Sequence, residues 1–595
     1  MDSIEKTNLG FNLLDEPWIP VVMLDGGTEE LSLQELFEKA ASIREIAGDC
    51  PQQSIVLIRL ALAILYRSYG LWYKLEFEDL VKEGEGLNPY MDELWLETWQ
   101  DGCFDEEVLA DYFEKFHESF DLFGEHPFMQ TAGLAYLSKS GSADEDRCDP
   151  IDELVADVPK SNKFLFSMRA RRSSKRDQPA LEGLSFAEAA RWLVFAQAFD
   201  VAGIKTPVAG NTHVKSGKAY PPKGLCGTGL LGSMEGVYLR GTNLFETLMW
   251  NWVLHDDRAK DSLAFLGNVE DVPAWELSQS IEPSDQTSDM LEASFKGPAS
   301  LFAWQSRRIR LVPDDDGHFV KGIVVCYGDV TRLANAQSVE TMCPWRESKP
   351  MQKQLGTAEV PWMPVQPNPG KALWRGSASL LSVSAEEKDF RPGVVRWAEH
   401  TSEMLKDQRL GGFSLSICSQ GMSYGTQSSV FEDGFDDYFD ISVAFLRHDS
   451  EAVRGAIEVV AQADKAVFAL RRFAENLERA AGDKKSGGQL STWGNFVEER
   501  AYAELDGIFR DRFARFSEDE SAYEYCNAWR DEVHLVLLHL GQELLDRTGA
   551  TQFSGHGDYP VANAFAMYKG ALNKNLGKLA EMLSADESMA GKEQQ

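Results

Sequence analysis

The sequence predicts an α+β protein, with a large mixed α/β N-terminal domain over residues 1–443 followed by a C-terminal four-helix bundle over residues 444–595. Three observations carry that expectation. Short strand-like runs bounded by Gly and Asp turns recur through the first part of the chain. Amphipathic helical stripes are interspersed among them. Beyond residue 450 the strand signals stop, and apolar residues keep a three-to-four spacing through four successive segments. At 595 residues and 43% hydrophobic, the chain can bury more than one core.

The elements follow in order. Residues 11–24 and 31–33 flank Asp25-Gly26-Gly27, a hairpin pattern. Helical patterns come next at 32–40, 53–66 and 107–120. Residues 138–149 are rich in Ser, Gly, Asp and Glu and read as a loop. A helix over 185–199 opens with Ser185 at the N-cap and Glu188 three residues on, a capping box. Residues 203–236 hold eight glycines and Pro221-Pro222, and read as loop. Strands are expected at 237–240, 306–312 and 322–327, the last two joined around Asp314-Asp315-Asp316-Gly317.

In the C-terminal part, Val453, Ile457, Val460, Ala463, Val467, Leu470, Ala474 and Leu477 form the first helical stripe, ended by Lys484-Lys485-Ser486-Gly487-Gly488. The second stripe carries Phe496, Leu505, Ile508, Phe509 and Phe513. The third carries Trp529, Val533, Leu537, Leu540 and Leu544, and the fourth Phe565, Tyr568, Leu572, Leu576, Leu579 and Leu583. Short connections between four amphipathic helices give an antiparallel bundle. No internal repeat is visible.

Composition narrows the setting. The first ten residues lack the apolar run of a secretory signal. The apolar run 54–65 contains Arg59 and is shorter than a membrane span. The eight cysteines include no CxxC pair, so neither a zinc ribbon nor a disulfide framework is expected. A reduced, cytoplasmic setting fits. The net charge of −35 argues against nucleic acid, because phosphate neutralisation needs Lys and Arg. Yet residues 160–223 hold 12 basic and 4 acidic residues, a local +8. That asymmetry points to one binding region on an otherwise acidic body.

Catalytic signatures are weak. Gly227-Thr228-Gly229-Leu230-Leu231-Gly232 matches GxGxxG, but Tyr220-Pro221-Pro222-Lys223 precedes it and a strand follows, the wrong context for a dinucleotide fold. His534 and His539 are five apart and do not share a helix face. The cluster Glu432, Asp433, Asp436, Asp437 and Asp440 is the one basis for an alternative, a metal-dependent nuclease or phosphodiesterase. More telling is the basic tract, where Phe164 and Phe166 lead into Arg169, Arg171, Arg172, Lys175 and Arg176. Arginine forks with flanking aromatics suit phosphates and unstacked bases, and the aperiodic Ser/Pro content makes this a loop that orders on binding.

Seven blocks then converge on one family. They are residues 12–21 (NLLDEPWIPV), 126–131 (HPFMQT), 162–166 (NKFLF) and 195–203 (FAQAFDVAG), Leu239-Arg240-Gly241 with Thr247, Leu248 and Asn251, 301–305 (LFAWQ), and 423–429 (SYGTQSS). In that order they resemble the CasA family, the large subunit of the type I-E CRISPR Cascade complex. The resemblance implies a non-catalytic, cytoplasmic subunit that works in antiviral defence with a CRISPR RNA and the CasB, CasC, CasD and CasE subunits. It would read the protospacer-adjacent motif (PAM) of double-stranded DNA, help open the duplex and dock a helicase-nuclease. No membrane partner and no cofactor are implied.

Residue by residue, the family's flexible loop falls on 167–182, with Phe166 or Phe164 as the aromatic at its base. Its glycine loop at the minor groove falls on Gly203 onward, with Gly210. Gln427 matches its glutamine wedge, flanked by Thr426 and Ser428 at minor-groove contacts. Two departures stand out. The family's groove-reading lysine falls near residues 335–337, where no lysine stands and Arg332 is the nearest substitute. Where some members carry clustered cysteines this chain has Asp314-Asp315-Asp316-Gly317-His318, so no zinc is expected there.

Overall fold

The computed structural model describes residues 9–83, 86–156, 182–211, 214–215, 217–219, 227–256, 265–278, 280–282, 295–329, 331–382, 388–405, 414–447, 450–481, 492–517, 519–554 and 560–577. They divide into two compact units. The first comprises residues 1–370, 392–410 and 417–437, and the second 371–391, 411–416 and 438–595. The chain thus enters the second unit three times.

The first unit begins with the expected hairpin. Ile19–Met23 pairs antiparallel with Thr28–Leu31 around Gly26, whose φ of +90° suits glycine, and Ile43–Ile46 completes the sheet. Ser32 caps helix Leu33–Glu38 in a reciprocal capping box with Glu35. Helix Gln53–Trp72 is the centre of this unit. Its length and apolarity would suit a membrane span, but 15 of its 20 residues are buried here. It also carries Arg59, 2% exposed, whose guanidinium pairs bidentately with the fully buried Glu340 at 3.0 and 2.7 Å and lies 4.0 Å over the Phe302 ring.

Helix Phe186–Phe199 is capped by Ser185, whose Oγ accepts from the Glu188 amide at 3.1 Å. Strands Arg307–Pro313 and Val320–Tyr327 form the hairpin expected from the sequence, turning at Gly317 with φ +71°. Residues 138–149, expected to be loop, also supply Ala143–Asp144 and the first residue of Asp149–Pro150, two short strands of which the second pairs with the edge of that hairpin. Gly229 packs against the end of helix Phe186–Phe199: a Cβ there would lie 2.3 Å from the Ala198 carbonyl carbon. The glycine-rich motif at 227–232 therefore serves close packing, and it leads through a 3₁₀ turn at Leu230–Ser233 into strand Gly236–Arg240, with no α-helix after it.

Strands Ser414–Tyr424 and Phe431–Ser442 join Gly236–Arg240 in a three-stranded sheet in which Ser414–Tyr424 is central. This long hairpin has no counterpart in the sequence expectations. Its alternation is blurred by polar residues that are buried and satisfied. Gln420 accepts from the Ile55 amide through Oε1 and donates to Asp436 through Nε2, while Ser419 donates to Glu235.

In the second unit, helix Glu451–Ala480 packs against Thr492–Arg515, Ala522–Asp546 and Val561–Asn575. Ser450 and Ser521 cap the first and third of these by accepting from Val453 and Glu524 amides. The predicted stripe from Val453 to Leu477 is buried except at Ile457. Phe496, expected on an apolar face, is instead 55% exposed, because the inward positions of its helix are Val497, Ala501, Leu505, Phe509 and Phe513. Leu579 and Leu583 lie outside the described residues. Trp374 stacks on Phe509 with centroids 4.0 Å apart and donates to Asp506, which ties residues 371–391 into this unit.

Arg59→Met leaves Glu340 buried without its counter-charge and should lower the unfolding free energy by about 3–5 kcal/mol. Urea denaturation checks this. The double substitution Arg59→Met with Glu340→Met should cost less than Arg59→Met alone, because no uncompensated charge remains inside.

Candidate nucleic-acid interface

The C-terminus of helix Phe186–Phe199 is where two loops meet. Arg307 enters from the neighbouring strand, fully buried. Its Nε donates to Asp200 Oδ2 at 2.6 Å. Its Nη2 reaches the carbonyls of Asp200, Val201 and Gly227 at 3.1, 3.1 and 2.8 Å, and Nη1 that of Ser306 at 2.8 Å. Lys205 adds a second cation on Asp200 Oδ2 at 2.5 Å. Hydrogen bonds to charged groups contribute about 1.5–3 kcal/mol each, so the path of the chain through 200–203 is firmly set.

The segment that follows is pinned along its length. The Gly203 carbonyl accepts from Tyr327 Oη at 2.7 Å. Lys205 and Ala219 exchange backbone hydrogen bonds at 3.2 and 3.1 Å. The Pro207 carbonyl accepts from Leu137, and Ala209 donates to Ala135, both at 2.9 Å. Val208 sits in a core with Leu134, Tyr136, Val324 and Cys326. What remains outward is Ile204, 56% exposed, and Gly210, exposed with φ +83°. A Cβ at Gly203 would meet only Val201 Cγ2, at 4.0 Å, so its glycine is not demanded by internal packing.

Facing this segment is the tip of the long hairpin. Tyr424 Oη donates to the Phe199 carbonyl at 2.7 Å, and the Ala202 amide donates to the Ser428 carbonyl at 2.8 Å. Gly203 and Thr426-Gln427-Ser428 are therefore neighbours, although more than 200 residues apart in sequence. The tip is strained. Gln427 has φ 58° and ψ 24°, and Ser428 φ 51°, with a bond of 3.4 Å from the Ser429 amide to the Thr426 carbonyl closing the turn. Two successive left-handed residues are the geometry of a type I′ turn, which prefers Asn-Gly. Held by Gln and Ser, it costs roughly 1–2 kcal/mol per residue. Thr426 and Gln427 are exposed.

Other candidates fall elsewhere. Arg332 is buried, 4% exposed, and burial lowers the pKa of its guanidinium. It does not present a cation to solvent in this structure. Asn335, where the family resemblance places a lysine, is exposed with φ 58°, and its Oδ1 accepts from the Trp362 amide at 2.9 Å. Phe164, Phe166, Arg169, Arg171, Arg172, Lys175 and Arg176 lie outside the described residues.

The acidic cluster behind the nuclease alternative is strung along strand Phe431–Ser442, whose rise of about 3.3 Å per residue spreads its carboxylates. Asp436 accepts from Gln420 and Asp440 from Ser416. Neither of the two three-ligand clusters among the described residues includes any of them. Arg307, Tyr327, Tyr424 and Ile204 were not singled out from sequence. Arg307 carries no distinguishing signal, because Arg308 and Arg310 share its strand.

Comparison with known proteins identifies the family. The family model described as CRISPR-associated protein Cse1 matches residues 12–540. The CRISPR-associated protein CasA/Cse1 of Thermus thermophilus is 25% identical over 556 residues, covering 90% of this chain and 92% of that protein. The crystal structure of Thermobifida fusca Cse1 superposes with a TM-score of 0.77 at 31% identity, covering 96% of this chain and 98% of that one. A chain of a CRISPR RNA-guided surveillance complex shares the fold, with a TM-score of 0.63 at 18% identity over 95% of this chain and 99% of that one. With the family model spanning most of its length and a Cse1 structure matching almost all of it, the chain belongs to the CRISPR-associated protein Cse1 (CasA) family.

Proposed function

We propose that this chain is the PAM-reading large subunit of a CRISPR RNA-guided Cascade complex, acting without catalysis of its own. The observation that carries this reading is the contact between the two loops, in which the Ser428 carbonyl and Ala202 amide hold a strained, exposed Gln427 beside Gly203. Backbone strain of this kind persists where the surrounding structure over-determines it, and it concentrates at functional sites. An exposed amide on a rigid turn suits insertion into a duplex, while an adjacent segment bare of side chain at Gly203 lets backbone groups approach base edges. The minor groove's degenerate donor and acceptor pattern would then give a relaxed PAM preference.

Sequence reading proper belongs to the guide RNA, and this chain would supply PAM contact and the initial opening. CRISPR RNA, CasB, CasC, CasD, CasE, target DNA and a helicase-nuclease are the partners of this reading, and the tract 167–182 is its contact with the RNA handle or DNA. On this reading the C-terminal helices form a four-helix bundle. Arg332, being buried, contributes to the groove only if it is released, so Asn335 is the better candidate on that segment.

Target-duplex affinity of the RNA-loaded complex, assembled with and without this chain against a panel of PAM variants, is the direct test. PAM-dependent affinity should appear only with the chain, and Gln427→Ala should weaken it. An unchanged PAM profile on adding the chain would sink the reading. Gln427→Gly separates strain from function. It should raise the unfolding free energy by about 0.5–1 kcal/mol, because glycine accepts the left-handed turn, yet impair strand separation measured with a base-analogue reporter below the PAM. Charge reversal of Arg169, Arg171 and Arg172 together should weaken nucleic-acid binding and flatten its salt dependence. No change in either would assign the tract to protein contacts.

A further inference from the structure

Away from the two loops, three segments of the first unit bring metal-binding groups to one point. Asp92 stands on helix Leu87–Asp101, His400 on helix Gly393–Met404, and His255 just beyond helix Leu244–Asn251. Both histidines aim Nε2 at the same oxygen. His255 Nε2 lies 2.9 Å and His400 Nε2 2.8 Å from Asp92 Oδ1, and the three ligand atoms are all within 4.8 Å of one another. The imidazole planes are inclined at 75° with centroids 5.1 Å apart, so the two nitrogens approach from distinct directions. Trp397, one helical turn before His400, packs against both rings at 5.0 and 5.4 Å and walls the site on the apolar side. His255 is the inner ligand, with its side chain 10% exposed, and His400 the outer, at 41%.

We propose that Asp92, His255 and His400 form a site for one divalent transition-metal ion of the zinc type, a role distinct from nucleic-acid recognition. Two imidazoles and a carboxylate are a donor set that zinc accepts, leaving a fourth position to water. With metal–ligand bonds of about 2.0–2.1 Å, ligand atoms around a tetrahedral ion sit roughly 3.3 Å apart. The two nitrogen–oxygen separations need to widen by only about half an ångström. Ligation through Nε2 places each imidazole proton on Nδ1. The ion would join three elements that are far apart in sequence.

A second cluster, Asp314, Asp316 and His318, is the natural control. It is a solvent-facing hairpin turn in which Asp314 Oδ1 already accepts from the His318 and Phe319 amides at 2.7 and 3.0 Å. The test uses the untagged full chain, stripped with chelator and titrated with Co²⁺ at neutral pH, followed by Zn²⁺ competition and elemental analysis. One equivalent of Co²⁺ should give the intense visible bands of a four-coordinate ion, and Zn²⁺ should erase them. Asp316→Asn should leave both unchanged. His400→Gln and Asp92→Asn, verified as folded by circular dichroism, should abolish the bands or weaken affinity at least about tenfold. The proposal is overturned if the wild-type chain binds no stoichiometric Co²⁺ or Zn²⁺. Binding that survives both His400→Gln and Asp92→Asn, or that disappears with Asp316→Asn, overturns it equally. None of these outcomes bears on PAM recognition, which is read in the assembled complex.

Discussion

The buried guanidinium of Arg307 is the constraint from which the interface follows. Taking an arginine out of water costs several kcal/mol unless its donors are met. Here Nε reaches a carboxylate and the two Nη atoms reach four carbonyls. Three of those carbonyls, of Asp200, Val201 and Gly227, belong to the chain leaving helix Phe186–Phe199 and to the glycine-rich segment that returns beside it. Satisfying Arg307 therefore dictates where the backbone runs at 200–203. That run in turn offers the Ala202 amide to the hairpin tip. A charge wholly inside the protein thus sets the geometry of groups that face outward.

Much of the fold was legible because its signals are local. The Asp25-Gly26-Gly27 turn, the Ser185 cap, the hairpin about Gly317 and the stripe from Val453 to Leu477 each arise from residues that interact within a few positions. The strands carrying Gln427 were not legible. Strand recognition relies on polar residues facing water, and Ser419 and Gln420 instead face inward, satisfied by Glu235, Asp436 and the Ile55 amide. Likewise the contact between Ala202 and Ser428 has no local signature at all. Only the resemblance of residues 423–429 to a known family singled out Gln427. The segments 371–391 and 411–416, which join the second unit, escaped a boundary drawn at 443 for the same reason: their partners are distant in sequence.

The strained turn at Gln427 and Ser428 makes sense against the pinned segment opposite it. A turn that prefers Asn-Gly will relax if nothing holds it. Tyr424 on Phe199 and Ser428 on Ala202 hold it from both sides. On the proposed reading such restraint would matter, since unstacking a base step costs on the order of a few kcal/mol and a yielding turn would give way first. The cost of the two left-handed residues is small beside the core that carries them.

The charge distribution then limits what this interface does alone. Among the described residues, Arg59, Arg191, Arg307, Arg308 and Arg391 are buried against Glu340, Asp49, Asp200, Asp329 and Asp389. Such cations serve the interior and neutralise no phosphate. Of the outward groups at the loop junction, Ile204, Gly210, Thr426 and Gln427 are uncharged, and Glu432, whose carboxylate lies beside Gly425, is acidic. With a net charge of −35 over the chain, long-range attraction to a duplex must come from a confined basic tract or from other members of an assembly. Neutral contacts of this kind discriminate at short range without adding salt-dependent affinity. On the proposed reading, an acidic subunit of this kind would bind DNA poorly by itself and would test a short motif only within the assembled complex.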